Sequence, residues 1–471
     1  MPVSTTDTLY TSQVRELISS FYNEKGDIPS VVTDAMEFFA QYREQLSHKK
    51  SLLEALDSAD TEDEKTFVSQ ALQNLERAIE TARSVRVHRI EQFALQLLAL
   101  SEGDSESETH TASAKLLGTL LLITAGNQGK FARQHKKLKP IYKAVLSLRL
   151  ADALFKEGNV KHSYLQVHQQ SSTRFSGNAY WRAKWQREIA IPLIKAALLQ
   201  DIGLYHPDAQ SVLLGPEQNK DEFRLLAEDE RKQLLKLNLQ HSLFYVKNGI
   251  GLPTDTSSSE DESTAPSHAE KQALNFALEV IQDATILKNH VGDLIKIPQI
   301  YASFVLSTKS DYSRKDLPKA YMVIKSLIEK GQLNKRIATN FLHMVGYFPQ
   351  GFGITYIATD MQGNIKDGYE YAIVNRLFPE NPAEPRVRTV SRNLNFIVSG
   401  KNTVISRDHN LYFLSNTKKI QRIDKARLQE LVSSLSSDGA QSNVENLVPQ
   451  YWEPHDFFAD KKHQNLWTTN Q

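Results

Sequence analysis

Cysteine is absent from all 471 residues, which excludes disulfides and cysteine-ligated zinc. A strong charge of either sign is absent too. The 56 Lys and Arg against 55 Asp and Glu leave a net +1, with no global pull toward nucleic acid or an anionic membrane. Long hydrophobic runs are also missing. The most apolar stretch, Leu116 to Ile123, falls far short of the roughly 20 residues that span a bilayer and reads as a buried helix segment. Met1 to Tyr10 is polar and lacks the basic-then-apolar order of a signal peptide. There is no Walker-type phosphate loop, no nucleophile elbow and no HExxH zinc motif. These absences predict a cytoplasmic protein with neither a membrane nor a nucleic-acid partner.

What is present is ordinary globular material, 40% hydrophobic and 24% charged, in a chain long enough for about two to four domains. Residues 1–130 read as an N-terminal helical domain. Helical spacing at Val14, Ile18 and Phe21 is broken by Gly26 to Pro29, and a helix restarts near Ser30. Asp34 to Leu56 is amphipathic. Phe67, Ala71, Leu75, Ala78, Ala82, Val85 and Phe93 then form a one-sided stripe. The stripe predicts a long hairpin or small bundle, serving as a dimerising or sensory module or simply as a domain that packs on the next one. The basic run Arg133, Lys136, Lys137 and Lys139 around His135 reads as a solvated face.

Residues 131–345 read as a second helical domain, interrupted at 254–267 by an acidic, Ser-rich insert that should be a disordered loop. From 346 to 425 the period changes to short β-branched and aromatic runs, among them Ile354 to Ala358, Tyr369 to Val374, Asn395 to Val398 and Leu411 to Leu414, separated by turns such as Gln362-Gly363-Asn364. This predicts a small antiparallel β unit. The remainder, 426–471, reads as a polar, loosely packed tail with isolated aromatics. The fold class is therefore mainly α with a small C-terminal β unit.

Chemistry concentrates at Ala196 to Pro207, an apolar helix end that delivers Gln200-Asp201 to the floor of a helical core. This segment resembles the signature of the HD superfamily of metal-dependent phosphohydrolases, with Gln where the family has His. Ala302 to Ala320 is similar to the HD-GYP segment AD-x-FDALTS-x-RPYRKAL-x-P. Gly346-Tyr347-Phe348-Pro349-Gln350-Gly351 is similar to that family's G-x-YPVG, and Val374 to Val387 resembles its closing NPENPLRP turn. The resemblance covers roughly residues 145–390. It implies an all-helical HD-GYP-like core of bacterial origin, in a family that hydrolyses cyclic di-GMP at a two- or three-iron centre.

Such a centre needs at least six or seven imidazole and carboxylate ligands. Carried over position by position, the resemblance leaves His162, Asp201 and His241 as residual candidates. Gln200 replaces the first His of the pair. Gln282 and Asp283 stand where the family has its two adjacent His, and Ala302 or Ser303 stands where it has a metal-binding Asp. The name-giving GSGYP loop is absent. The histidines otherwise read as hydrogen-bonded core residues, and Asp201 as a helix-end cap. His206, His290 and His343 read as scattered; only His290, with Asp293, has an acidic neighbour at ligand spacing.

The expectation is therefore an HD-GYP-like protein without its metal centre. It would bear no cofactor and act as a signalling or scaffold module through a protein partner, a homodimer or a cyclic dinucleotide. Arg314, Lys315 and Lys319, in the segment matching RPYRK, are the candidate phosphate contacts. The alternative is a residual phosphohydrolase holding one Fe or Mn ion at His162, Asp201 and His241.

Overall fold

The computed structural model describes residues 6–23, 28–124, 131–158, 160–253, 267–286, 289–359, 365–416 and 449–468. The acidic insert at 254–266, the turn at 362–364 and residues 426–448 of the tail lie outside them. Helix makes up 65% of the structure, with a small antiparallel β unit near the C-terminus, so the chain is mainly α.

Among the described residues the α-helices follow in order: α1 (Leu9–Phe21), α2 (Val31–Asp57), α3 (Glu62–Ser101), α4 (Glu106–Leu122) and α5 (Phe131–Glu157). Next come α6 (Ser163–Val167), α7 (Ala179–Trp185), α8 (Ile191–Leu199), α9 (Pro207–Leu214) and α10 (Glu228–Phe244). The series ends with α11 (His268–Ile286), α12 (Asp293–Val305), α13 (Lys319–Glu329), α14 (Lys335–Val345) and the short α15 (His455–Ala459). Two compact units gather these elements. Unit 1 is Met1–Arg15, Ala99–Val145 and Gln299–Gln471; unit 2 is Glu16–Leu98 and Leu146–Pro298. Where the sequence division follows composition, this one follows proximity.

In unit 2, α2 starts at a capping box in which Ser30 and Thr33 exchange side-chain to backbone bonds. α2 and α3 form an antiparallel hairpin, marked by Arg89–Asp34 at 2.6 Å and Lys49–Glu76 at 2.8 Å. The hairpin is buried only at its base, at Phe38, Phe39, Ile90, Phe93 and Leu97. No residue from 40 to 89 is buried. The stripe seen in the sequence therefore loses its core role outward, and Phe67 is 74% exposed. Helix α8 is apolar except for Lys195, with Pro192 in its first turn, and is mostly buried. It packs on α11, while the 3₁₀ turn Ile202–Tyr205 packs on α10.

Unit 1 holds the four-stranded antiparallel sheet, order β1-β2-β3-β6. Its strands are β1 (Gly353–Thr359), β2 (Ile365–Val374), β3 (Arg386–Thr389) and β6 (Asn402–Val404); β4 (Ser391–Arg392) and β5 (Asn395–Phe396) form a separate pair. The expected strand at Leu411 to Leu414 is instead a turn. Leu411 only donates its N–H to Thr355 O, beside a single bridge from Asn410 to Tyr356, and so covers the edge of β1. Gly346, at φ 62°, ends α14, and a Cβ there would meet Pro379 Cγ at 2.8 Å. The loop that follows folds back, Tyr347 N–H donating to Pro382 O at 2.9 Å.

The expected loose packing of the tail is corrected at residues 449–468. Trp452, Phe457, Phe458 and Trp467 are all buried. The Trp452 indole N–H donates to Ala372 O, and a Cβ on Gly118 would meet the Trp467 ring at 2.3 Å. Gln464 accepts from Thr8 N–H and the Thr11 hydroxyl, both at 2.8 Å. Aromatics spaced several residues apart with no period gave no sign of this, because each one packs individually against a distant element.

Candidate functional site

The Gln200-Asp201 corner lies where the sequence places it, at the end of α8, and its polar groups are taken up by packing. Gln200 O accepts from the Ser242 hydroxyl at 3.0 Å and from Asn238 Nδ2 at 3.3 Å. Asn238 Nδ2 also reaches Asp201 Oδ1 at 3.1 Å, and Gly203 N–H donates to Ser242 Oγ at 2.9 Å. The turn lies so close to α10 that a Cβ on Gly203 would meet Asn238 O at 2.3 Å. Only glycine fits there.

The other positions carried over by the resemblance are similarly engaged. His162 stands just before α6 without a side-chain capping bond and sets Nε2 3.1 Å from Glu279 Oε2. Buried Asp283 accepts the N–H groups of Asn289 and Gly292, both at 2.8 Å, and so ties down the loop before α12. Ala302 is a buried apolar residue, and Ser303 donates to Gln299 O at 2.8 Å. A binuclear iron centre does not fit the positions that the resemblance assigns to it. Gln200, Gln282 and Asp283 offer no imidazole, and His162, Asp201 and His241 are not gathered into one ligand group among the described residues. Of the candidate phosphate contacts, Arg314 is buried. It donates to Leu121 O at 2.7 Å and Thr124 Oγ1 at 2.6 Å, and pairs with Glu453 at 3.3 Å. Lys319 pairs with Asp316 at 2.7 Å, and Lys315 is exposed.

His241 belongs to a different group. Among the described residues, His206, Asp208 and His241 form a cluster whose ligand-type atoms lie within 4.8 Å of one another. The chain builds it locally. After the corner, Pro207 starts α9, and His206 is the residue before that helix, its Nδ1 accepting the Asp208 N–H at 3.1 Å. The His241 ring, on α10, stacks on His206 with centroids 3.4 Å apart and planes 5° from parallel. Phe39 of α2 closes edge-on against both rings. Both histidines are 93% buried, by their 7% relative exposure.

Burial, and then the neighbouring His241 ring, outweigh Asp208 and lower the His206 pKa to about 4. Burial also lowers His241, against the pull of Asp208. The two rings are neutral at pH 7. Asp208 Oδ2 lies 3.6 Å from His206 Nδ1, 3.7 Å from His241 Nε2 and 3.3 Å from the exposed Arg43 guanidinium. His241 Nε2 has no hydrogen-bond partner although it is buried.

The two histidines of the cluster line a cavity of about 590 Å³, within the range of roughly 300–1,000 Å³ usual for small-molecule sites. Aromatic Phe39, Tyr42 and Phe244 line it, with the cations Arg43 and Lys247 and the amides Gln240, Asn248 and Gln282. His241 and Gln282, both carried over from the resemblance, thus meet in one cavity, whereas Asp201 is not part of its lining.

The sequence reading missed His206, Asp208 and Arg43. The usable signal was local: His206-Pro207-Asp208 restarts a helix directly after the corner that holds α10. Arg43, on α2, carried none. Comparisons with models of known protein families, with curated proteins and with solved structures find nothing that matches this chain.

Proposed function

We propose that this chain is an HD-GYP-like helical protein without a binuclear metal centre, acting by binding rather than by phosphoester hydrolysis. Its ligand is an anionic, ring-bearing molecule of the nucleotide class, cyclic dinucleotides included. The observation that supports this is the cavity of unit 2, which combines aromatic faces for a base, two cations for phosphate and side-chain amides for base edges. The positions where hydrolysis would need ligands serve packing instead, through Asp201–Asn238 and His162–Glu279.

The test is calorimetric titration of the purified chain with mono-, di- and cyclic dinucleotides, beside a phosphodiesterase assay supplied with iron and manganese. One class should bind at micromolar level without turnover, and Lys247→Ala should weaken it about tenfold, in the range for loss of a charged hydrogen bond. Turnover of a phosphodiester, or no binding at millimolar ligand, overturns the proposal.

A protein partner is the second reading, and it rests on the α2–α3 hairpin. From 40 to 89 no residue of the hairpin is fully buried, and it exposes Leu46, Leu53 and Phe67. A Phe67→Glu variant that leaves the oligomeric state and co-purifying proteins unchanged overturns this reading.

A further inference from the structure

We infer that His206, Asp208 and His241 form a site for one divalent first-row transition ion of the zinc type, with an open coordination position facing the cavity. The site is not the one the resemblance implies, since His206 and Asp208 match no ligand position of that family. It also does not rest on nucleotide binding, because its probe is the ion alone.

Spacing is the first argument. In a tetrahedral site with bonds of about 2.1 Å, neighbouring ligand atoms lie about 3.4 Å apart. Asp208 Oδ2 stands 3.6 Å from His206 Nδ1 and 3.7 Å from His241 Nε2, so closing on an ion requires only a few tenths of an ångström along these edges. Donor type is the second. Two imidazoles and one carboxylate suit zinc and its neighbours, whereas magnesium and calcium prefer oxygen throughout. The third is the His241 Nε2 atom, which is buried and faces Asp208 without a hydrogen-bond partner. A buried polar atom left in this state costs stability unless something occupies the space it faces.

Three features of the ion-free geometry must give way. The stacked rings have parallel planes, so an ion midway between them would lie about 1.7 Å out of each, half the 3.4 Å separation, and out of line with the in-plane lone pairs. One ring must therefore turn, and the stack opens on binding. Arg43 holds Asp208 Oδ2 at 3.3 Å and competes with the ion. His206 Nδ1 also gives up the Asp208 N–H. With three protein ligands the fourth position opens on the cavity, where an anionic group could complete the tetrahedron.

The experiment uses the full chain, stripped with chelator, dialysed and titrated with Zn²⁺ by calorimetry and with Co²⁺ by visible absorption. One ion per chain is expected, with the intense d–d bands of four-coordinate cobalt. His241→Ala and His206→Asn should each weaken binding at least tenfold; the asparagine preserves a helix-capping side chain, and thermal melts confirm folding. His162→Ala should change nothing. Arg43→Ala should tighten binding several-fold by releasing Asp208, an effect that a merely structural role for the cluster does not produce. Uptake below about 0.1 ion per chain, or binding that survives both histidine variants, overturns the inference.

Discussion

Helix α10 carries two polar clusters with opposite fates. Asn238 and Ser242, one turn apart on the same face, bind the Gln200-Asp201 corner and leave little unspent. His241, one residue from Ser242, faces the cavity with a nitrogen that no hydrogen bond uses. All three are buried to a similar degree. Burial therefore does not separate these three; Asn238 and Ser242 are bonded to the corner, whereas His241 lines the cavity. The corner most like a catalytic signature is a packing joint, and the histidine pair beyond it lines the cavity.

The strongest way to break the comparison is at Gly203. Gly203→Ala places a methyl group 2.3 Å from Asn238 O and 2.8 Å from Ser242 N. It should cost about 3 kcal/mol in denaturant unfolding, since backbone on both sides blocks relaxation. A cost near zero would show that the corner is not a tight joint.

A third histidine, His135, is as buried as His241 and likewise keeps one ring nitrogen, Nε2, without a hydrogen-bond partner. His135 in unit 1 is fully buried, and its Nδ1 lies 2.7 Å from Ser307 O. Burial, helped by Arg314 and Lys139 and opposed by that bond, lowers its pKa from 6.5 to about 4. Between those values the unfolded chain binds a proton that the folded chain refuses, so stability rises with pH across that window and levels off below it. The contribution is at most about 3 kcal/mol. His135→Asn should flatten the stability profile between pH 4 and 6.5; an unchanged slope would remove His135 as its source.

Smaller effects separate the two faces of α10. Asn238→Ala strips partners from Asp201 and Gln200 O and should cost about 2 kcal/mol. His241→Ala removes a ring with an unused nitrogen, so the stability of the metal-free chain should fall by only about 1 kcal/mol, mostly from the lost stacking. If the costs of these two substitutions were reversed, the distinction between joint and site would fail.

The fold was legible wherever a pattern is local. The Ser30 start of α2, the apolar α8 with its stop, the helices from His268 to Val345 and the switch to strands at Gly353 all follow from period, caps and turn residues within a few positions. Leu411 to Leu414 failed that logic because a β-type run becomes a strand only when a neighbouring strand offers a ladder, and here β1 takes just one bridge. Trp452 and Trp467 failed it because aperiodic aromatics find their partners far along the chain.

The sequence by itself determined that a helix would end at Gln200-Asp201 and that His241 lies in the dense helical region that follows. Only the tertiary structure decided that Asp201 would turn to Asn238, and that His206 would stack on His241 with Asp208 and Arg43 beside them. The physical reason is that helical periodicity fixes which face a residue occupies. Which polar groups meet across that face depends on how α2, α9 and α10 pack, and no spacing within any one of those helices encodes it.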